Sequence, residues 1–201
     1  MVIYMVNYPN LKKPQSLSKE DEYKINHNTR RRGYSLESAI NHSNQYYLDR
    51  NKAVIHKKPT PVQVVKVDYP KRSAAKITEA YFKIPSTTDY NGVYRGKYID
   101  FEAKECAKTS FPFRNIHEHQ IKHLEQVIEH GGIAFLIIAF TQYDEVYLVD
   151  GAYVTDQFRN ASRQSFLYDD IKQHAYLIKQ GYLPELDYLK IVDTLYFKED
   201  E

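Results

Sequence analysis

Residues 133–140 read Ile-Ala-Phe-Leu-Ile-Ile-Ala-Phe, an unbroken apolar run. It is far shorter than the roughly 20 residues that cross a bilayer as a helix. Its β-branched and aromatic content favours a strand. A strand that is apolar at every position must be covered on both faces, and helices on both sides of a sheet do that. The run therefore predicts the central strand of an α/β domain. The chain has 201 residues, 42% of them hydrophobic and 27% charged, which suits one packed domain with an appendage.

Other elements are expected around that strand. Ser35 is placed to cap a helix running to about Arg50. Strands are expected over 53–56, 62–67, 77–82, 89–94, 97–105 and 145–149. A helix over 116–129 would end at Gly131-Gly132, and another over 169–180 at Gly181. Residues 1–34, polar and carrying Pro9 and Pro14, read as a basic arm, with 35–201 as the main domain. Met5 is a second possible start. No apolar leader is evident near Met1, and Cys106 is the sole cysteine. Both features point to a cytoplasmic protein with no membrane partner.

Charge is divided along the chain. Residues 1–76 hold 15 Lys and Arg against 6 Asp and Glu, a balance of +9; residues 77–201 hold 13 against 20, or −7. A basic front half favours a polyanionic partner, nucleic acid first. Arg30, Arg31 and Arg32 would neutralise phosphates without reading sequence. Residues 57–83 look like two antiparallel strands around a basic bend. Lys57, Lys58, Lys66, Lys71, Arg72, Lys76 and Lys83, with Tyr81 and Phe82, would make them a DNA-binding probe. The alternative is an ordinary hairpin packed on the sheet.

The chemistry is concentrated between Thr87 and Lys104. Side chains alternate across a strand, so Asp100, Glu102 and Lys104 share one face, and Ile99, Phe101 and Ala103 the other. A two-residue turn at Arg95-Gly96 sets Asp89 opposite Glu102; a turn at Gly96-Lys97 sets it opposite Lys104. Either register puts Asp89, Glu102 and Lys104 on one face, whereas a three-residue loop would reverse it. Opposed carboxylates repel. A hard divalent cation, Mg²⁺ or Mn²⁺, relieves that repulsion, and Lys104 would stabilise developing negative charge. A solvent-facing strand of mixed charge is the plainer alternative. Two helical residues bear on the choice: Glu37 falls inside the apolar stripe of Leu36, Ile40, Tyr47 and Leu48, and Gln120 inside that of Ile116, Ile121, Leu124 and Val127. Both are expected to close over the acidic face. His117, His119, His123 and His130 do not form the HExxH zinc pattern, and no phosphate-binding glycine loop is present.

These residues carry a resemblance. Arg32-Gly-Tyr-Ser-Leu-Glu37, Ile40-Asn-His-Ser-Asn44, Val54-Ile-His-Lys-Lys-Pro-Thr-Pro61, Asp68-Tyr-Pro-Lys-Arg72, Pro85-Ser-Thr-Thr-Asp-Tyr-Asn-Gly-Val-Tyr94, Tyr98-Ile-Asp-Phe-Glu-Ala-Lys-Glu105, Phe111-Pro112, His119-Gln120 and Asp187-Tyr-Leu189 follow in order along the chain. Together they resemble the RecU-type Holliday junction resolvases of the PD-(D/E)XK nuclease class. The resemblance implies a restriction-endonuclease-like mixed sheet flanked by helices, with a projecting β-hairpin stalk. It implies a homodimer that nicks four-way branched DNA in recombination and repair, alongside a recombinase and other recombination proteins. It also implies Thr87, Asp89, Glu102 and Gln120 around Mg²⁺, with Mn²⁺ as substitute, Lys104 at the transition state, and Glu37 as a helix-borne acidic residue. Thr88-Asp89 stands where the class has Pro-Asp, and the loop after Lys104 is one residue short of the family's. Rival readings are a restriction-like nuclease cutting duplex DNA and an architectural DNA-binding protein indifferent to Mg²⁺.

Overall fold

The computed structural model describes residues 35–83 and 87–197; the arm and its three arginines lie outside them. A helix, α1 (Leu36–Asp49), precedes β1 (Ala53–Lys57), β2 (Val62–Asp68), β3 (Lys76–Phe82), β4 (Tyr90–Tyr94), β5 (Lys97–Cys106) and β6 (Ser110–Pro112). Then come α2 (Glu118–Glu129), β7 (Ile133–Phe140), β8 (Glu145–Asp150), α3 (Gly151–Asn160), β9 (Ser165–Leu167), α4 (Tyr168–His174), β10 (Tyr176–Leu177) and α5 (Tyr188–Tyr196). The main sheet runs β1-β4-β5-β7-β8-β10. Its β5–β7 pair is parallel and the other pairs are antiparallel, so the sheet is mixed.

The apolar run behaves as its composition requires. Every residue of β7 is buried. Ile133, Phe135, Ile137 and Ala139 pack on one side with residues of α1 and α5. Ala134, Leu136, Ile138 and Phe140 pack on the other with residues of α2, α3 and α4. This is the expected α/β arrangement of a mixed sheet flanked by helices, and the side bearing α2 carries the acidic residues.

The β4–β5 hairpin settles the register. Tyr90 pairs with Phe101 and Tyr94 with Lys97, which leaves Arg95-Gly96 as the turn. Both turn residues have positive φ, 48° and 76°, as a type I′ turn demands. Arg95 is held in that conformation from outside: its guanidinium lies 3.0 Å from Asp193 Oδ1 and 4.6 Å from the centre of the Phe197 ring. Asp89, one residue before the ladder, therefore falls opposite Glu102. On the other face the Tyr90 and Phe101 rings stack at 4.8 Å and Phe101 stacks on Phe135 at 4.7 Å.

β2 and β3 form a separate two-stranded sheet, and every residue in both strands is exposed. The hairpin is thus not packed on the main sheet. It includes exposed Lys66, Lys76, Tyr81 and Phe82, and its bend holds Lys71 and Arg72, with Lys83 just beyond β3.

Two expectations need correction. The helix expected over 169–180 stops at His174, and Tyr176 and Leu177 instead pair with Leu148 and Tyr147. The outer edge of β8 has unpaired backbone groups, and an edge strand satisfies them where further helix would not. The second correction concerns Glu37, which is exposed rather than core-facing. The buried side of α1 is Leu36, Ala39, Ile40, Ser43, Asn44 and Tyr47. Small Ala39 and Ser43 sit near its centre and turn Glu37 and Leu48 outward. Moreover, α1 covers the face of Ile55, Tyr90 and Phe101, opposite the acidic residues.

Candidate active site

The site forms where β1 ends and β4 begins, beside the middle of β5. β1 continues past Lys57 by one ladder bond, Lys58 N–H to the Asp89 carbonyl at 2.7 Å. This brings Lys58, Asp89 and Glu102 into one cross-strand row. The Asp89 N–H donates to Glu102 Oε2 at 3.1 Å, and Lys104 Nζ lies 2.5 Å from Glu102 Oε1. Asp89, Glu102 and Lys104 therefore share one face, as strand alternation predicts.

Glu102 is fully buried and Asp89 half-buried. Burial pushes the Glu102 carboxyl up to about 7; Lys104 opposes this and the Asp89 charge adds to it. The Lys104 approach to Oε1 lacks hydrogen-bond direction, so that buried oxygen retains unused acceptor capacity. A buried carboxylate with a free lone pair, beside a second carboxylate, suits a hard cation. Among the described residues no group of three or more His, Cys, Asp and Glu is arranged to enclose a metal. Neutral oxygens must complete any such shell.

Thr87 and Gln120 are the neutral oxygens expected there. Thr87 is half-buried, and among the described residues its hydroxyl makes a long 3.4 Å contact with the Thr88 carbonyl. Gln120 is buried at 4% exposure. Its Oε1 accepts from the His117 N–H at 2.9 Å and closes the capping box of α2. The inward glutamine thus already has a backbone partner, and a cation would have to share or replace it. Its neighbours on α2 do reach the acidic face. His123 Nε2 is 3.1 Å from Asp100 Oδ2, and the His119 pKa is lowered, first by burial and then by the charges of His117 and Lys104.

Glu37 approaches from the other side of the sheet. Its carboxylate lies 2.5 Å from Lys57 Nζ. Among the described residues the buried Tyr90 hydroxyl has no hydrogen-bond partner, and its pKa is raised first by burial, then by the charges of Glu37, Asp89 and Glu102. Glu37 therefore acts on the same end of the sheet without joining the acidic face. Lys57 and Lys58, expected as DNA contacts, are both engaged within the protein. Lys58 Nζ lies 2.7 Å from the buried Asp100 carboxylate.

Asp100 shares the face of Glu102 and Lys104, as strand alternation predicts. It is fully buried. It accepts from Lys58 at 2.7 Å, from Tyr98 OH at 2.7 Å and from the Thr88 hydroxyl in a short bond. The signal was present in the alternation Asp100, Glu102, Lys104. What was not legible was which donors from other segments would converge on it.

A family model described as Recombination protein U matches residues 31–194. The chain belongs to the RecU family. The Holliday junction resolvase RecU of Bacillus cereus strain G9842 is 52% identical over 197 residues, covering 96% of this chain and 98% of that one. The same identity and coverage hold for the RecU proteins of Bacillus thuringiensis strain Al Hakam and Bacillus mycoides strain KBAB4. Among solved structures, Archaeoglobus fulgidus Hjc, a Holliday junction resolvase from an archaeal hyperthermophile, superposes with a TM-score of 0.39 at 7% identity, over 63% of this chain and 84% of that one. That likeness is too distant to bear on fold or function. The RecU match spans both the β2–β3 hairpin and the acidic face.

Proposed function

We propose that this chain is a Holliday junction resolvase, an endonuclease that cuts four-way DNA junctions by metal-dependent paired nicking in recombination and repair. The observation that carries the reading is the set Asp89, Glu102 and Lys104 on one sheet face, in a chain 52% identical over nearly its full length to proteins named for that activity.

Asp89 and Glu102 would hold Mg²⁺, or Mn²⁺ in its place, with oxygens of Thr87 and Gln120 completing the shell. Such an ion, when bound, supplies Lewis-acid polarisation of a phosphoryl oxygen and a lowered pKa for an attacking water. The chain's own residues do the rest. Ionised Glu102 and Asp89 repel each other across the ladder and bind best when that repulsion is neutralised. Lys104 is tied to Glu102. Its side chain is 25% exposed, so the ammonium has access to a phosphate laid over the face, where it offsets negative charge developing in the transition state. Glu37, held by Lys57 at the margin, adds negative potential at this end of the sheet.

Lys66, Lys71, Arg72, Lys76 and Lys83, with Tyr81 and Phe82, make the exposed hairpin the junction-binding element. It contacts phosphates and unstacked bases and so selects branched shape over base sequence. Arg30, Arg31 and Arg32 would add phosphate contacts from the arm. A homodimer supplies two active sites for paired nicks, and recombination proteins, a recombinase among them, are the expected partners. No described helix is long and apolar enough to cross a membrane, and a cytoplasmic location is the one proposed.

The test uses a labelled four-way junction and a duplex of matching sequence, each with Mg²⁺ and with EDTA. Cleavage of the junction alone, and only with Mg²⁺, is expected. Sequence-dependent duplex cutting would favour a restriction-like nuclease, and metal-indifferent binding an architectural protein. Asp89→Asn should abolish cleavage while junction binding persists; undiminished cutting by that variant would remove the metal assignment.

A further inference from the structure

Asp89 lies outside regular structure. β4 begins only at Tyr90, and residues 87–89 form a bend rather than a strand. A metal-binding carboxylate there needs anchors beyond the β4–β5 ladder, which begins only at Tyr90. Three are visible. The Asp89 carbonyl accepts from Lys58 N–H, the Asp89 N–H donates to Glu102 Oε2, and the preceding Thr88 hydroxyl donates to Asp100 Oδ1. The last differs from the others. It is a side-chain tether to a carboxylate that the reaction does not use.

Asp100 is well suited to be the fixed end of that tether. It sits on β5, two residues before Glu102, and is fully buried beside the parallel partner β7, where Asp100 pairs with Ala134. An ionised carboxylate there is tolerated only if it is surrounded by donors and opposite charge. Lys58 from the end of β1, Tyr98 from β5 itself and Thr88 donate to it, and His123 from α2 stands at 3.1 Å. Lys58 Nζ also reaches the Thr88 hydroxyl, at 3.2 Å. Asp100 thereby joins the residue before Asp89 to the strand of Glu102.

We propose that Asp100 is a positioning residue of the nuclease site, which sets Asp89 against Glu102 by holding the Thr88 hydroxyl, with the Lys58 ammonium as its counter-charge. The inference rests on the metal-dependent reading above. It also assigns Lys58 to the architecture of the site rather than to DNA.

The test separates tethering from charge. Thr88→Val removes the hydroxyl at nearly constant volume and leaves all carboxylates in place. Thr88→Ser keeps the hydroxyl. Asp100→Asn keeps the size and removes the charge. Full-length wild type and the three variants are titrated with Mn²⁺ by calorimetry, assayed for junction cleavage across a Mg²⁺ series, and tested for junction binding in EDTA. Loss of an outer-shell partner costs roughly 10- to 100-fold in metal affinity. That loss is expected for Thr88→Val and Asp100→Asn in both the Mn²⁺ dissociation constant and the half-saturating Mg²⁺, with metal-free junction binding unchanged. Thr88→Ser is expected to restore wild-type values. If Thr88→Val binds Mn²⁺ like wild type, the tether is overturned, and a loss confined to Asp100→Asn would mean that Asp100 acts through its charge. If wild type itself takes up no Mn²⁺ and cuts no junction, the nuclease reading falls and the positioning role falls with it.

Discussion

Replacing Glu102 with Gln separates the electrostatics of the site from its chemistry. The Glu102 carboxyl is fully buried, and burial lifts its pKa from 4.5 to about 7 despite Lys104. The unfolded chain returns it to the ordinary value. The native state therefore binds this proton more tightly, so stability falls as pH rises between those two values. Below about pH 4.5 both states are protonated and no penalty exists. By pH 8 both are ionised and the penalty is complete, on the order of 3 kcal/mol. Gln fits the same space and carries no titrating proton. Its cost is a Lys104 without a counter-ion, which is small because that side chain is 25% exposed and can be hydrated. Glu102→Gln should thus be more stable than wild type at pH 8, by up to about 3 kcal/mol, while losing cleavage. The difference should shrink steadily toward pH 4.5. Urea unfolding in EDTA, followed by far-UV circular dichroism across that range, measures it. Parallel pH profiles for the two proteins, or a variant less stable at pH 8, would refute the reasoning. Mg²⁺ should stabilise wild type and leave the variant little changed, because only a native state that binds the ion gains from it.

Other expectations follow from the hairpin and the sheet. Converting Lys71, Arg72 and Lys76 together to Ala should weaken junction binding and reduce the slope of log K against log salt by up to roughly 3, since each phosphate contact contributes about 0.9; an unchanged slope in gel-shift titrations would show that the hairpin does not meet the backbone. Gly92→Ala places a Cβ 2.0 Å from the Val54 carbonyl oxygen and 2.6 Å from Ile55 Cα, both backbone atoms. It should destabilise the β1–β4 pair by several kcal/mol, and an unfolding curve within experimental error of wild type would contradict that packing.

The parts of this molecule that could be read from sequence are those fixed by periodicity. Ile133 to Phe140 could be buried on both faces only as a central strand, and β5 alternates so regularly that Asp100, Glu102 and Lys104 had to share a face. The turn was narrowed to two registers, and the positive φ of both Arg95 and Gly96 selects one of them. Features set by contacts between distant segments were not legible. Glu37 looks core-facing on a helical wheel because Leu48 extends the apolar stripe there, but Ala39 and Ser43 let α1 pack closer on their side and rotate Glu37 to the margin. Lys58 reads as one more cation in a basic stretch, and only the fold reveals a buried carboxylate 42 positions later as its partner. Gln120 falls inside the apolar stripe and is buried, yet its capping bond to His117 depends on where α2 begins, and that is Glu118 rather than Ile116.

The most direct test of the central claim is anomalous diffraction from crystals soaked in Mn²⁺ at pH 8 or above, where Glu102, lifted by burial to about 7, is ionised. A peak is expected between the Asp89 and Glu102 carboxylates, within about 2.5 Å of an oxygen from each. Density showing the two carboxylates on opposite faces of the β4–β5 hairpin, or manganese bound elsewhere and absent from this pair, would contradict it.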